Sequence, residues 1–359
     1  MPLKMIIVGT GGFGGSWCRH FLPPNVQEGL VEVVAAVDVN PAALENAREG
    51  LGLAASRCYT DARRAFRENR ADACAIVVPP AFHESVVDLA LSHGLHILSE
   101  KPIADTLQAS CRIARKVRAA GVKMGVTMSH RFDQDKSTLR AEIRSGACGT
   151  LDYLVCRFTC DARKFGTWGR FRHEMVDPLL WEGAVHHLDL LADMAGAPAE
   201  TVYAQTWNPS WGEYKGDSQA LVTMQCGNGV RISYEGAKCN AVGLNQWGEE
   251  YVRAECERGT LIMANRQIRR FRYAADASWR AQKENDGELI DLLSQPKWTN
   301  TWLIEKFARW VGGGPAMETE VEANLQSVAI VSAAVESSRI GRPVRVQEHL
   351  AAARAAAAS

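Results

Sequence analysis

Apolar and polar positions follow two different rhythms along this chain. Over residues 1–125, short, mostly apolar runs at 3–8, 31–37, 73–78, 95–98 and 122–128 have the length of strands buried on both faces. Helix-length segments separate them: 41–48, with a proline near its first turn, then 83–93 and 103–120. Strand and helix in alternation predict a doubly wound parallel sheet, which binds ligands beyond the carboxyl ends of its strands. From Thr150 onward the period shortens to two. Alternating runs at 151–159, 201–207, 218–226, 229–234 and 251–257, with a Cys226-Gly227-Asn228-Gly229 turn, predict a mixed or antiparallel sheet with one open face. Helices at 299–311 and 321–340, parted by Gly312-Gly313-Gly314-Pro315, precede an alanine-rich tail.

The division expected from this pattern is a first domain at 1–125, a second at 126–345 and a tail at 346–359, with the helix at 321–340 packing back on the first domain. The chemistry of the first domain is announced by Gly9-Thr10-Gly11-Gly12-Phe13-Gly14 directly after the first apolar run. Glycines so placed allow a tight turn, a close approach of backbone to a pyrophosphate, and a helix N-terminus aimed at the phosphates. The second apolar run ends in Asp38, where a carboxylate can accept hydrogen bonds from both adenosine ribose hydroxyls. Val39, Asn40 and Pro41 follow it and no arginine does, so a 2′-phosphate would meet repulsion; the expected cofactor is NAD rather than NADP. The fold class is therefore α/β: a Rossmann sheet followed by an α+β domain built on a large mixed or antiparallel sheet.

Bulk composition narrows the function classes. The 359 residues are 47% hydrophobic and 23% charged, with 41 Lys plus Arg against 41 Asp plus Glu. That balance offers no field for nucleic acid or an anionic membrane, and neither partner is expected. The chain enters a strand at once and holds no apolar window of membrane-spanning length, which predicts a cytoplasmic protein. Ten cysteines without a CxxC pair read as reduced thiols filling core space, not as disulfides or zinc ligands.

Three further segments complete the picture: Val77-Val78-Pro79-Pro80-Ala81-Phe82-His83, Glu100-Lys101-Pro102, and Glu182-Gly183-Ala184-Val185-His186-His187-Leu188-Asp189. In this order behind the glycine run, and with Glu336 to Val344 near the C-terminus, they resemble the Gfo/Idh/MocA family of glucose-fructose oxidoreductase and inositol dehydrogenase relatives. The resemblance spans nearly the whole chain. It implies that Lys101, just past a strand where the nicotinamide belongs, orients a substrate hydroxyl and takes part in proton transfer. A lysine of ordinary pKa near 10.4 is too basic for that task unless burial or a neighbouring positive charge lowers it. Pro79, Pro80, His83 and Glu100 are implied to shape the cofactor pocket.

Read as a helix, the segment around His186 places Glu182, His186 and Asp189 at i, i+4 and i+7 on one face, with His187 a quarter turn away. Imidazole suits removal of an alcohol proton as hydride leaves the same carbon, and Glu182 would fix its tautomer. The resembled family usually has aspartate where this chain has Glu182. His186 is the expected base and Lys101 its partner; the reverse assignment, or His187, stays open. Adjacent histidines on a helix diverge and no HExxH is present, so no metal site is expected.

Beyond these, Arg131 follows the last strand of the first domain. A basic, aromatic loop at 161–173 carries Arg163, Trp168 and Arg172. Aromatic faces stack on sugar rings and arginines grip anionic groups, so these are candidate substrate contacts. Trp207, Trp211 and Tyr214 read equally well as core, interface or added aromatic surface. The expected activity is NAD-dependent hydride transfer at a ring hydroxyl of a sugar, glycoside or cyclitol. The alternative is a glycoside hydrolase working by transient oxidation, elimination and re-reduction, on an anionic glycoside such as a sulfonated one. A homo-dimer or homo-tetramer is implied by the resemblance.

Overall fold

The computed structural model describes residues 1–275 and 282–358; Ser359 of the tail lies outside the described residues. They divide into two compact units, one formed by 1–132, 296–328 and 352–358, the other by 133–275, 282–295 and 329–351.

In the first unit, six strands form a wholly parallel sheet: β1 (Leu3–Val8), β2 (Val31–Val37), β3 (Cys58–Tyr59), β4 (Ala73–Ile76), β5 (His96–Ser99) and β6 (Met124–Val126). Their order is β3-β2-β1-β4-β5-β6, so the chain reverses direction across the sheet between β1 and β4. That reversal opens a crevice at the carboxyl ends of β1 and β4, the place where such sheets bind dinucleotides. Met5, Ile6 and Ile7 are 0% exposed, as consecutive apolar residues on a strand covered on both faces require.

Residues from the far end of the chain complete this core. Leu303, Ile304 and Phe307 of the helix Thr299–Val311 join Met5, Ile7, Trp17 and Leu22 in one apolar cluster. Lys297 Nζ ties the segment down through Asn25 Oδ1 (2.9 Å), Glu28 Oε2 (2.6 Å) and Glu305 Oε2 (2.8 Å). The expected helix at 103–120 begins later, at Leu107, because residues 101–106 form a loop; Thr106 then caps it, Oγ1 accepting from Ala109 N at 3.2 Å. The strand expected at 122–128 is shortened to β6, residues 127–132 turning through Ser129–Phe132.

The second unit carries nine strands: β7 (Leu151–Thr159), β8 (Ala199–Trp207), β9 (Gln219–Cys226), β10 (Arg231–Ala237), β11 (Tyr251–Cys256), β12 (Gly259–Ala264), β13 (Gln267–Arg272), β14 (Glu288–Ile290) and β15 (Val344–Arg345). They run in the order β14-β13-β12-β11-β7-β10-β9-β8-β15, antiparallel except for β7 beside β10. Burial alternates along β9 and β10, one face against helices and the other open, with Leu221 49% exposed. The helix Val321–Ile340 begins in the first unit and ends in the second, where Ser337 and Ser338 hydroxyls accept from Ala204 N and Thr206 N of β8. The tail is helical over Val346–Ala358. No helix among the described residues is long and apolar enough to cross a membrane.

Candidate active site

In the first unit the glycine turn is sterically compulsory. A Cβ on Gly9, whose φ is +96°, would stand 2.1 Å from the Val77 carbonyl oxygen, and one on Gly14 would stand 2.3 Å from Gly9 O. The turn is therefore pressed against the end of β4 and against the helix that follows it. Asp38, one residue beyond β2, holds this loop: its Oδ2 accepts from Thr10 N at 2.8 Å and Gly11 N at 2.9 Å, and its Oδ1 from Asn40 N at 2.9 Å. A carboxylate has lone pairs left for ribose hydroxyls, and its position at the β2 end beside the glycine turn fits NAD. Phe13, half exposed, starts the helical segment beyond the turn.

The end of β5 delivers the next group. Glu100 is buried, and its Oε1 accepts from Trp17 Nε1 at 2.9 Å and Asn300 Nδ2 at 3.4 Å. Burial pushes the Glu100 carboxyl above its ordinary pKa, against the opposing charge of Lys101 and the hydrogen bond from Trp17. Glu100 Oε2 faces Lys101 N at 3.3 Å, so the backbone of the lysine is gripped by the residue before it. The Lys101–Pro102 peptide is cis.

His83 joins two walls of this region. Its Nε2 meets Val78 O at 2.8 Å and its Nδ1 meets Ile103 O at 3.2 Å, which links the Pro79-Pro80 segment to the loop after Lys101. Burial lowers the His83 pKa, although those carbonyl contacts act in the other direction. The unfolded chain therefore binds the proton more readily than the folded one. Stability from this group is complete above the ordinary value near 6.5 and is lost as pH falls below it. His83→Gln removes that titration. Unfolding free energy measured between about pH 5 and 6.5 should then lose up to about 1.4 kcal/mol per pH unit of slope. An unchanged slope would show that His83 does not titrate on unfolding. Arg131 lies in the turn Ser129–Phe132 just past β6.

In the second unit, a single α-helix through Glu182 and Asp189 does not form. A π-helical turn, Leu179–Ala184, runs into the α-helix Val185–Ala195, so the simple i, i+4 relation of Glu182 to His186 is replaced by a wider turn. The Glu182 carboxylate is braced by two cations, with Arg172 Nε 2.8 Å from Oε1 and Lys238 Nζ 3.5 Å from Oε2. Lys238 is fully buried; it also donates to Pro178 O at 2.9 Å and lies over the Trp168 ring, 5.4 Å from the centroid. His186 is buried and meets the Trp247 ring edge-on at 5.4 Å.

His187, buried too, has Nδ1 3.0 Å from Tyr234 Oη and Nε2 3.3 Å from Glu250 Oε1. Burial pushes the Tyr234 phenol well above its ordinary pKa, so it keeps its proton to donate to Nδ1. Asp189 is buried in the same helix. Of the loop arginines, Arg163 pairs with Asp161 at 2.9 Å, while Arg172 and Trp168 join the cluster around Glu182.

The first unit thus gathers the predicted glycines with Asp38, and Pro79, Pro80 and His83 with Glu100 and Lys101. The second gathers Trp168, Arg172 and Glu182, and sets His186 and His187 beside Trp247. Sequence reading missed Trp17 and Asn300 around Glu100, and Lys238, Trp247, Tyr234, Glu250 and Phe158 in the second unit. These reach their partners across 47 positions for His187 and Tyr234 and 200 for Glu100 and Asn300, beyond any local spacing rule. All ten cysteines are unpaired and eight are buried.

A parallel sheet with a glycine turn and an acid just past β2, followed by a second unit that pairs a mixed sheet with a helix carrying two buried histidines, is the layout of a two-unit dinucleotide-dependent oxidoreductase. The chain belongs to the Gfo/Idh/MocA oxidoreductase family: residues 3–128 match its NAD-binding Rossmann fold, and residues 140–346 its C-terminal alpha/beta domain. It is 53% identical to the uncharacterized protein y4oX of Sinorhizobium fredii over 98% of this chain and 97% of that one. It is 28% identical to an inositol 2-dehydrogenase of Corynebacterium glutamicum over 65% of this chain and 67% of that one. Among solved structures, an oxidoreductase from Agrobacterium radiobacter in complex with NAD+, L-tartaric acid and magnesium shares the fold, with TM-score 0.80, 21% identity, and coverage of 97% and 99% of the two chains. The cofactor of the family's first domain is NAD.

Proposed function

We propose that the protein is a dehydrogenase that oxidises a ring CH–OH of a cyclitol, sugar or glycoside, or reduces the corresponding ketone. The observation that carries this reading is a lysine in a Glu-Lys-Pro turn at the end of β5, together with a buried histidine on the helix Val185–Ala195, in a chain of this family. Likeness to an inositol 2-dehydrogenase supports the cyclitol class.

Bound NAD supplies the acceptor for the hydride. The chain manages the proton and the oxygen. His186 takes the hydroxyl proton, imidazole being the side chain best matched to gaining and losing a proton near neutrality. Lys101 holds the alcohol oxygen and offsets negative charge as the O–H bond breaks. Asp38 holds the adenosine ribose, and Glu182, braced by Arg172 and Lys238, keeps the π-turn ahead of His186 in place.

Incubation with NAD and a panel of cyclitols, aldoses and methyl glycosides should raise the reduced-nicotinamide absorbance with at least one of them. No rise with any polyol, or under the reverse conditions with ketoses and NADH, would count against the reading. Release of a chromogenic aglycone that requires NAD but accumulates no NADH would assign the hydrolytic variant of the same chemistry.

A further inference from the structure

We infer that Trp247 is the surface on which the substrate ring stacks, and that it makes the enzyme selective for cyclic over acyclic polyols. This rests on the reading of His186 as the proton acceptor. Trp247 lies between β10 and β11, in a segment with no strand of its own, yet the segment is held at many points. Lys238 O accepts from Ala162 N (2.7 Å), and Cys160 O from Asn240 N (3.1 Å). Thr159 pins Asn245 twice, through Thr159 N to Asn245 O (2.9 Å) and Asn245 N to Thr159 Oγ1 (3.2 Å). Just past the tryptophan, Gly248 N donates to the buried Glu250 carboxylate at 2.9 Å. The indole is presented by a braced loop.

Its surroundings are aromatic and polarised. The Trp247 centroid stands 5.6 Å from Trp168 at 82°, 6.0 Å from Phe158 at 86°, 5.6 Å from His187 at 56° and 5.4 Å from His186 at 73°. Trp168 in turn carries the Lys238 ammonium and the Arg172 guanidinium, 5.4 and 6.0 Å from its centroid. With these four rings around it, Trp247 is still 38% exposed. A hydroxyl that meets His186 on its Trp247 side lies against the indole, whose centroid is 5.4 Å from the imidazole.

The electron-rich face of an indole attracts the slightly positive C–H bonds of a sugar or cyclitol, as it attracts the edge of another ring. A cyclic polyol presents several such bonds on one flat face. An acyclic polyol must first be ordered into that shape, with loss of rotational freedom. Contact with the bound ring in both ground and transition state appears as KM, not kcat.

The test compares Trp247→Phe, which keeps an aromatic face, with Trp247→Leu, which keeps apolar volume and loses it. Steady-state rates are measured on myo-inositol and methyl β-D-glucopyranoside against D-sorbitol. Trp247→Leu should lower kcat/KM for the cyclic substrates about three- to tenfold through KM, with sorbitol changed by less than about twofold, and Trp247→Phe should restore most of the loss. A parallel fall for cyclic and acyclic substrates, a Phe variant as weak as the Leu variant, or no change in either overturns the stacking role. Oxidation of sorbitol but of neither cyclic probe by the wild type overturns the selectivity, whereas no oxidation of any polyol and no reduction of a ketose with NADH overturns the dehydrogenase reading itself, and the role of Trp247 with it.

Discussion

Lys101→Met should reduce kcat by about 10²- to 10⁴-fold, the usual worth of a group that handles the proton or the developing charge in the transition state. Methionine keeps the unbranched apolar stem and removes only the ammonium. The backbone at this position is set by other residues: the buried Glu100 carboxylate receives Trp17 Nε1 and faces Lys101 N, and His83 holds the loop through Ile103 O. Because these contacts do not use the lysine side chain, and because the glycine turn held by Asp38 is the proposed NAD site, NAD binding should remain within about threefold of wild type. Single-turnover rates with saturating NAD and cyclitol, alongside equilibrium titration with NADH, separate the two effects. A kcat within fivefold of wild type would remove Lys101 from the chemistry. Loss of NADH binding in step with kcat would make it a structural residue of the cofactor pocket.

The parts of the fold that were legible in the sequence are those decided within one element and its neighbour. A mostly apolar run, the glycine turn after it and an acid one residue past β2 all lie within the first 38 residues. The helices Thr299–Val311 and Val321–Ile340 were equally plain, because Gly312-Gly313-Gly314-Pro315 stops one before the other starts. Strands β12 to β14 escaped notice. β13 reads Gln-Ile-Arg-Arg-Phe-Arg, and its arginines are held by ion pairs from Arg270 to Glu142 and Glu288, a stabilisation no hydrophobic period reveals.

The sequence signalled that the helix from 321 returns to the first domain, but not that 296–320 joins the first unit. That membership depends on Lys297 finding Asn25 and Glu28, and on Thr319 Oγ1 donating to Val126 O at 2.7 Å. The candidate site divides in the same way. The resembled motif located Glu182, His186 and His187, whereas the π-turn over Leu179–Ala184 left no mark in the spacing, and Lys238 and Trp247 reach Glu182 and His186 from a segment more than 50 positions further on.

Lys136→Met should destabilise the protein by about 3–5 kcal/mol, the cost of leaving buried carboxylates without their cation. Lys136 sits in the first turn of the helix Gln134–Arg144 and is 0% exposed. Its Nζ lies 2.9 Å from Glu250 Oε2, 3.3 Å from Asp133 Oδ2 and 3.6 Å from Asp135 Oδ2. Burial disfavours the ammonium, but the three carboxylates outweigh it and raise the lysine above its ordinary pKa, so the charge is retained. After substitution, Glu250 and Asp135, both 1% exposed, would face one another with Arg266 at 3.8 Å from Asp135 as compensation. A loss of that size is a large share of a typical domain's stability of about 5–15 kcal/mol.

Denaturant unfolding of the single variant, of Glu250→Gln and of the double variant forms a cycle. The double variant should be more stable than Lys136→Met, because glutamine removes the stranded charge while keeping an acceptor for Gly248 N. A Lys136→Met loss below about 1 kcal/mol would show that these carboxylates reach water or take up protons on their own. Glu250 also faces His187 Nε2 and holds the backbone next to Trp247, so the buried cation paired with it helps determine where those two rings stand.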